Sequence, residues 1–216
     1  MKIALINATL NSIEPLMYGL SKKLSKDDIV LHFINEYLLD RAMNMGKIDA
    51  RAVQIFTELV FSAMEAEPDI IVVGCSVYFP YVPLLESFVS VPIMAIDAPM
   101  LETAAEKGLK IGLIATTFQT AAATEKRLSA IAEKKGKTLE ILAEALPQAF
   151  DLLCAGDVKG HNSAIVEAGE SLAKQGCDYI LLCQISMSRA SADMQHLKAR
   201  VLNSVDTGVD RIFQLK

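Results

Sequence analysis

The sequence predicts an α/β protein of two pseudo-symmetric lobes, each a mainly parallel sheet flanked by helices, with the active site expected in the cleft between them. Two patterns predict this fold class. Short apolar runs such as Ile70–Val73 are continuous rather than alternating, which is typical of strands covered on both faces in a parallel sheet. Helical segments with an apolar stripe separate these runs, and strands that alternate with helices form parallel α/β sheets.

The individual elements follow in chain order from the same patterns. Strands are predicted at Lys2–Asn7, 29–33, Ile70–Val73, 93–96, 111–114, 138–142 and 179–183. A broad helical stripe predicts a helix over 49–67. Two more helices are predicted over 120–135 and 163–175, because each segment opens with Ser or Thr and closes at a glycine.

The chain also repeats itself, which predicts the two lobes. The segment 2–9 aligns with the segment 110–117, with five identities. The shift that carries the first segment onto the second also carries Cys75 onto Cys183, and each cysteine ends an apolar run that follows an aspartate. These aspartates are Asp69 and Asp178, whose separation is longer than that shift by a single position. The repeat predicts that the two cysteines occupy equivalent positions.

The duplication also predicts the domain organisation. The first lobe is expected over residues 1–97 plus about 203–216, and the second over residues 98–202. The crossover between them is expected near residues 92–99, where two prolines lie.

Composition excludes several classes of partner. Among 216 residues, 21 Lys and Arg stand against 26 Asp and Glu, and the basic residues are dispersed. A surface for nucleic acid or an anionic membrane is therefore not expected. No apolar run reaches the roughly 18 residues of a membrane span. The apolar N-terminus turns polar at Asn7, too early for a signal peptide, so a cytoplasmic protein is expected.

The four cysteines and three histidines predict neither disulfides nor a metal site, because no Cys-x-x-Cys occurs and the histidines are far apart. Cys154 and Cys177 are interpreted as buried core residues, the commonest place for an unpaired cysteine. His161 follows Gly160 ahead of a predicted helix and is interpreted as a surface or cap residue.

Candidate functional residues lie at the carboxyl ends of predicted strands, where parallel α/β sheets bind their ligands. Cys75 and Cys183 end two such strands. If related lobes face each other, one thiolate removes a proton from a carbon and the opposite thiol delivers one to its other face, which inverts that carbon. Because this chemistry needs a thiolate, a helix N-terminus after each cysteine is expected to lower its pKa and to bind a carboxylate or enolate.

Segments along almost the whole chain make it similar to the aspartate/glutamate/hydantoin racemase superfamily. They are 74–76, 91–93, 96–100, 111–117, 149–151, 155–157 and 182–189. The resemblance implies a cofactor-independent, metal-free racemase or epimerase in which Cys75 and Cys183 act as acid and base. It implies a small carboxylate or hydantoin substrate. The residues that would contact this substrate are Asn7, Ser76, Val77, Thr116, Thr117, Thr120 and Gln184.

Departures from the amino-acid racemases keep other reactions open. Those enzymes usually have Asn-Thr after the first cysteine, where this chain has Ser76-Val77. They usually have Gly before and Thr after the second cysteine, where this chain has Leu182 and Gln184. The Gln-x-Ser-Met segment resembles a less characterised branch in which the second cysteine is often absent. The alternatives are an arylmalonate-type decarboxylase, a maleate-type cis–trans isomerase that uses one cysteine, and a non-catalytic small-ligand sensor. A homodimer is expected because dimers are the commonest assembly of soluble proteins.

Overall fold

The computed structural model describes residues 1–215, which form two compact units. One unit comprises residues 1–96 and 209–215, and the other comprises residues 97–208. Lys216, the last residue of the predicted first lobe, lies outside the described residues. Each unit contains a four-stranded parallel sheet flanked by helices, which confirms the predicted fold class. Among residues 1–215, no helix combines the length and the apolar character that a membrane span demands.

The first unit has the strand order β2-β1-β3-β4, and all neighbouring strands are parallel. The strands are β1 (Lys2–Asn7), β2 (Ile29–Ile34), β3 (Ile70–Val73) and β4 (Ile93–Ala95). The helices are α1 (Ile13–Ser21), α2 (Tyr37–Met45), α3 (Ala50–Met64) and α4 (Val82–Leu85), with 3-10 helices at Leu10–Ser12 and Ser76–Tyr81. The two central strands, β1 and β3, are almost entirely buried, as continuous apolar runs predict.

The second unit repeats this arrangement with the order β6-β5-β7-β8, again all parallel. The strands are β5 (Lys110–Ala115), β6 (Glu140–Ala145), β7 (Tyr179–Leu182) and β8 (Arg200–Asn203). The helices are α5 (Ala98–Lys107), α6 (Phe118–Lys134), α7 (Pro147–Cys154) and α8 (Val158–Lys174), with a 3-10 helix at Ile185–Met194. The last helix, α9 (Ser204–Gln214), begins in this unit and belongs to the first unit from residue 209 onward. The sequence pattern does not reveal β8, because only its last two residues are buried.

Two helices of the second unit begin earlier than the sequence predicts. Thr117, not Thr120, caps α6, and its side chain accepts a hydrogen bond from the Thr120 N–H. Asp157 caps α8, so that both Ser163 and His161 lie inside the helix. In each case an earlier residue with a side-chain acceptor provides the cap, and a later Ser or Thr does not.

Apolar layers cover both faces of the sheet in the second unit. Along β7, Ile180 and Leu182 pack into the layer that includes α8. Leu181 packs into the opposite layer, which includes α5 and α6, and Cys183 belongs to that layer too. Because side chains alternate along a strand, the Cys183 sulfur is directed toward α5 and α6.

Candidate active site

The sheet registers establish which residues of the two units are equivalent. The central strands β1 and β5 correspond by the predicted shift, which carries Lys2 onto Lys110. Ile6 lies opposite Val73, and its counterpart Ile114 lies opposite Leu182. The separation of Val73 and Leu182 exceeds that shift by a single position, so β7 stands one residue out of step with β3.

This one-residue slip makes Gln184 the counterpart of Cys75. The N–H groups of Gly74 and Cys183 donate to equivalent carbonyls of the central strands, at 2.8 and 3.0 Å, so that Cys183 corresponds to Gly74. Cys75 and Gln184 each precede a 3-10 helix and accept a hydrogen bond from the N–H three residues later, at 3.0 and 3.1 Å. The predicted equivalence of the two cysteines is therefore wrong by one residue.

Cys75 lies at the carboxyl end of β3 and is 8% exposed. Backbone N–H groups of Ala8, Val77 and Tyr78 face its sulfur and favour the thiolate. Burial outweighs these three dipoles and raises the pKa of Cys75 to about 12. The expectation that a helix N-terminus lowers this pKa is therefore wrong for the free protein, in which the thiol is protonated at neutral pH.

A buried tyrosine fixes the backbone that follows Cys75. The Tyr78 hydroxyl donates to the Leu38 carbonyl at 3.1 Å, and its ring stacks on Phe56 with centroids 4.8 Å apart. Ser76 and Val77, two of the predicted substrate contacts, lie between Cys75 and this anchor and are half-buried. Sequence reasoning missed this role, because Tyr78, Phe79 and Tyr81 are close together and their spacing does not indicate which ring is the anchor.

Asn7, a predicted substrate contact, ends the central strand of the first unit and is 1% exposed. Its Oδ1 accepts a hydrogen bond from the Ser12 hydroxyl at 3.1 Å. Its Nδ2 is buried and has no hydrogen-bond partner among the described residues. A buried donor without an acceptor costs free energy, so this nitrogen is suited to a carboxylate or carbonyl oxygen of a ligand.

The side chain of Gln184 is held by two hydrogen bonds from Thr116, another predicted substrate contact. The Thr116 backbone N–H donates to Gln184 Oε1 at 2.6 Å, and the Thr116 hydroxyl donates to the same oxygen at 3.0 Å. Since a backbone N–H can only donate, it identifies the bonded atom as the amide oxygen. The two N–H donors of the Gln184 amide thus stay available for a ligand.

Thr117 and Thr120 are hydrogen-bonded to each other at the start of α6. The Thr117 hydroxyl donates to the Thr120 hydroxyl at 3.0 Å and accepts from the Thr120 N–H at 3.1 Å. These bonds give both residues a structural role at the helix cap. Their contact with substrate stays a prediction.

Cys183 is 1% exposed and packs within the apolar layer of α5 and α6. Burial and the nearby Asp97 carboxylate raise its pKa to about 12, although a hydrogen bond with Thr124 and the positive charge of Arg127 oppose this shift. Its sulfur also lies 3.6 Å from the Leu181 carbonyl. Its surroundings thus favour a neutral thiol.

Asp97, which is buried, forms an ion pair with the partly exposed Arg127 beside Cys183. Arg127 donates from Nη1 and Nη2 to both carboxylate oxygens of Asp97, at 2.5 and 2.9 Å. Burial raises the pKa of Asp97 even though Arg127 opposes this shift. Sequence reasoning missed this pair. Thr120, Thr124 and Arg127 are spaced by four and three residues, so they share one helix face, and that spacing could have indicated it.

Of the three residues predicted to have structural roles, one lies where it was expected and two do not. Cys177 is buried as predicted, whereas Cys154 is exposed at the end of α7, contrary to its interpretation as core. His161 is wholly buried inside α8 rather than at the surface, and its Nδ1 lies 2.8 Å from the Ala149 carbonyl. Burial lowers the pKa of His161.

Comparisons with known proteins agree with this architecture. The family model of Asp/Glu/Hydantoin racemases matches residues 3–212. Comparison with curated proteins gives no match. Among solved structures, an aspartate racemase homologue from Pyrococcus horikoshii is 17% identical, with a TM-score of 0.71 over 99% of this chain and 98% of that chain.

Two further solved structures share the fold. The aspartate racemase of Picrophilus torridus is 12% identical, with a TM-score of 0.77 over 99% of this chain and 93% of that chain. The allantoin racemase of Klebsiella pneumoniae is 15% identical, with a TM-score of 0.69 over 100% of this chain and 87% of that chain.

Proposed function

Because the chain belongs to the Asp/Glu/Hydantoin racemase family, we propose that it is a cofactor-independent racemase or epimerase that inverts the carbon next to a carboxylate or carbonyl group of a small amino-acid-like or hydantoin-like substrate. Membership of this family makes the chain an enzyme of the racemase type, an isomerase. The observation that carries the proposal is Cys75, a sulfur at the carboxyl end of a central parallel strand, faced by three backbone N–H groups.

In the proposed reaction, the Cys75 thiolate takes the proton from the substrate carbon. The C–H bond breaks, an S–H bond forms, and the electron pair moves onto the carbonyl oxygen to give an enolate. The amide donors of Asn7 and Gln184 would stabilise negative charge on the substrate oxygens. Ser76, Val77, Thr116, Thr117 and Thr120 complete the proposed contacts.

The two-cysteine form of the proposal takes the second proton from Cys183. A neutral thiol is the form that donates a proton, and burial keeps Cys183 neutral at pH 7. This form requires both sulfurs to reach one carbon from opposite faces, which is the condition for inversion.

A second candidate is a reaction that uses Cys75 alone, such as decarboxylation of an arylmalonate-type acid or cis–trans isomerisation of a maleate-type acid. It is favoured by the counterpart of Cys75, Gln184, because a side-chain amide does not ionise near neutral pH and so cannot act as a general acid or base. In the decarboxylation, the C–C bond to the leaving CO2 breaks and its electron pair forms an enediolate. The Cys75 S–H then protonates that enediolate on one face.

Proton exchange in D2O, followed by NMR, separates these reactions. The protein is incubated with both enantiomers of aspartate and glutamate, and with 5-substituted hydantoins, arylmalonates and maleate. Cys75→Ala and Cys183→Ala variants are run in parallel. Exchange from both enantiomers that is lost in either variant supports the two-cysteine racemase.

Other outcomes count against that form. Near-normal racemisation by Cys183→Ala removes Cys183 from the mechanism. Consumption of a malonate or maleate that depends on Cys75 alone moves the protein to the second candidate. A homodimer and a cytoplasmic location stay predictions, to be measured by sedimentation and by localisation of the tagged protein.

A further inference from the structure

His161 lies in the first turn of α8 and is wholly buried. Its Nδ1 is 2.8 Å from the Ala149 carbonyl of α7, and because a carbonyl only accepts, Nδ1 carries the ring hydrogen. Nε2 is then a bare lone pair, buried and without a hydrogen-bond partner among the described residues. A buried polar atom without a partner costs free energy, so this nitrogen indicates a role beyond packing.

The His161 ring faces the 3-10 helix that begins directly after Gln184. The Ser186 carbonyl of this helix favours the charged form of the ring, whereas the charge of Arg189 disfavours it. Arg189 donates from Nη1 to the same Ser186 carbonyl at 3.3 Å. The imidazole and the guanidinium therefore meet at one carbonyl, two residues beyond Gln184.

The segment between this carbonyl and Gln184 is held together by local hydrogen bonds. The Met187 N–H donates to the Gln184 carbonyl at 3.1 Å, and the Ser188 hydroxyl donates to the Ile185 carbonyl at 2.8 Å. Met187 is wholly buried in the apolar layer that includes α8. A displacement at Ser186 is therefore passed on to Gln184.

Charged residues near the His161 ring come from three elements. On α8 itself, Asp157 caps the helix by accepting a hydrogen bond from the Gly160 N–H at 2.9 Å. The elements packed against α8 carry Asp151 on α7, and Arg189 and Asp193 on the 3-10 helix. Burial lowers the pKa of His161 below its ordinary value of 6.5, and the charge of Arg189 acts in the same direction.

We propose that His161 is a positioning residue for the proposed reaction: its neutral imidazole leaves the Ser186 carbonyl to Arg189 and so keeps the Gln184 amide in place for substrate. The inference rests on the proposed function, in which that amide binds a substrate oxygen. A proton added at Nε2 gives the ring a second N–H and a positive charge beside Arg189. The two cations then compete for one carbonyl, so the start of the 3-10 helix moves and Gln184 moves with it.

This arrangement should weaken substrate binding on the acid side. The ring is neutral at pH 7, because burial and the charge of Arg189 lower the pKa of His161. Affinity should fall as the pH drops through that lowered value. KM should rise about tenfold, which is the effect of losing one hydrogen bond from the Gln184 amide.

The side-chain amide signals of Gln184 report its position without any substrate. In nitrogen-15-labelled protein they are the pair missing from Gln184→Ala, and NMR follows them with the His161 ring signals from above pH 6.5 down to acid unfolding. We expect the amide pair to shift with the same midpoint as the ring. His161→Asn keeps an N–H donor near the place of Nδ1 but cannot take the proton, so it should abolish the shift.

Two further variants provide the controls. His196→Gln removes an exposed histidine just beyond the far end of the same 3-10 helix, and its Gln184 signals should titrate as in the native protein. Arg189→Met removes the competing charge and should move the midpoint to higher pH, since Arg189 lowers the pKa of His161. A Gln184 pair that stays fixed while the protein is folded, or that still shifts in His161→Asn, overturns the inference.

Exchange kinetics with the D2O panel of the proposed function keep the two proposals apart. Joint titration of the ring and the amide without exchange of any compound sustains the coupling of His161 to Gln184 and rejects the proton transfer. Exchange whose KM does not change through the midpoint sustains the proton transfer and overturns the positioning role. A KM that rises on the acid side in the native protein and in His196→Gln, but not in His161→Asn, is the expected result.

Discussion

Replacing Gln184 by alanine should lower both stability and substrate affinity, whereas replacing it by glutamate should lower mainly affinity. Its amide oxygen accepts two hydrogen bonds from Thr116, which is 1% exposed. Gln184→Ala leaves a buried backbone N–H and a buried hydroxyl without this acceptor. That loss is worth about 1–3 kcal/mol of unfolding free energy. Gln184→Glu keeps an acceptor oxygen at the same place and should cost less than about 1 kcal/mol.

The order of the two variants should reverse when substrate affinity is measured. Gln184→Glu exchanges the amide donors for a second carboxylate oxygen, which repels a substrate carboxylate. A hydrogen bond to a charged group contributes about 1.5–3 kcal/mol, so KM should rise roughly 10–150-fold. Gln184→Ala loses the donor without adding repulsion, so its KM should rise less.

Urea unfolding and exchange kinetics by NMR in D2O measure the two effects on the same preparations. Gln195→Glu makes the identical change at an exposed position just beyond the other end of the same 3-10 helix and should alter neither quantity. An unchanged KM in Gln184→Glu would refute the assignment of the amide as a substrate donor. A Gln184→Ala variant as stable as the native protein would refute the argument from Thr116.

Three other substitutions test the remaining groups. Burial raises the pKa of Cys75 from 9.0 to about 12, so the folded state binds this proton more tightly than the unfolded state does. The resulting contribution to the unfolding free energy is fully present below pH 9 and is lost as the pH rises toward 12. Between pH 9 and 12, urea unfolding should show that the unfolding free energy of Cys75→Ala falls less steeply than that of the native protein, by about 1.4 kcal/mol per pH unit. Arg127→Met leaves Asp97 buried without its partner and should lower the unfolding free energy by about 3–5 kcal/mol, also measured by urea unfolding. An Asp97→Leu/Arg127→Met variant no more stable than Arg127→Met would contradict this. Cys183→Ala/Gln184→Cys places a thiol at the position equivalent to Cys75, and chiral chromatography should detect racemisation that Cys183→Ala alone lacks.

Much of the fold could be predicted from the sequence because parallel strands buried on both faces leave continuous apolar runs. The central strands β1 and β3 have this pattern, and both were found at the predicted residues. The strand β8 has only two buried residues, so its pattern resembles that of a loop. The starts of α6 and α8 depend on which of several Ser, Thr or Asp residues provides the cap, and composition alone does not distinguish them.

The candidate site was predicted less completely because register is a property of paired strands rather than of one strand. The spacing of Cys75 and Cys183 equals the shift of the repeat, which suggests that the two cysteines are equivalent. The spacing of Asp69 and Asp178 exceeds that shift by one residue, which is easily overlooked in the sequence. In the structure both aspartates accept a hydrogen bond from the first backbone N–H of the central strand, Asp69 from Lys2 at 2.6 Å and Asp178 from Lys110 at 2.9 Å. Their spacing therefore reports the register, and a slip of one residue turns a side chain to the other face of the sheet.

The protonation of Cys75 bears on which of the two candidate reactions this site performs. Because burial raises the pKa of Cys75 to about 12, almost all of this side chain is the neutral thiol at pH 7. A racemase must recover the thiolate when substrate binds, beyond what the N–H groups of Ala8, Val77 and Tyr78 achieve in the free protein, where burial outweighs them. A reaction in which Cys75 protonates an enediolate starts from the neutral thiol and needs no such recovery. A thiolate that forms only in the substrate complex would therefore favour the racemase, and a thiol that stays neutral in the complex would favour protonation on one face.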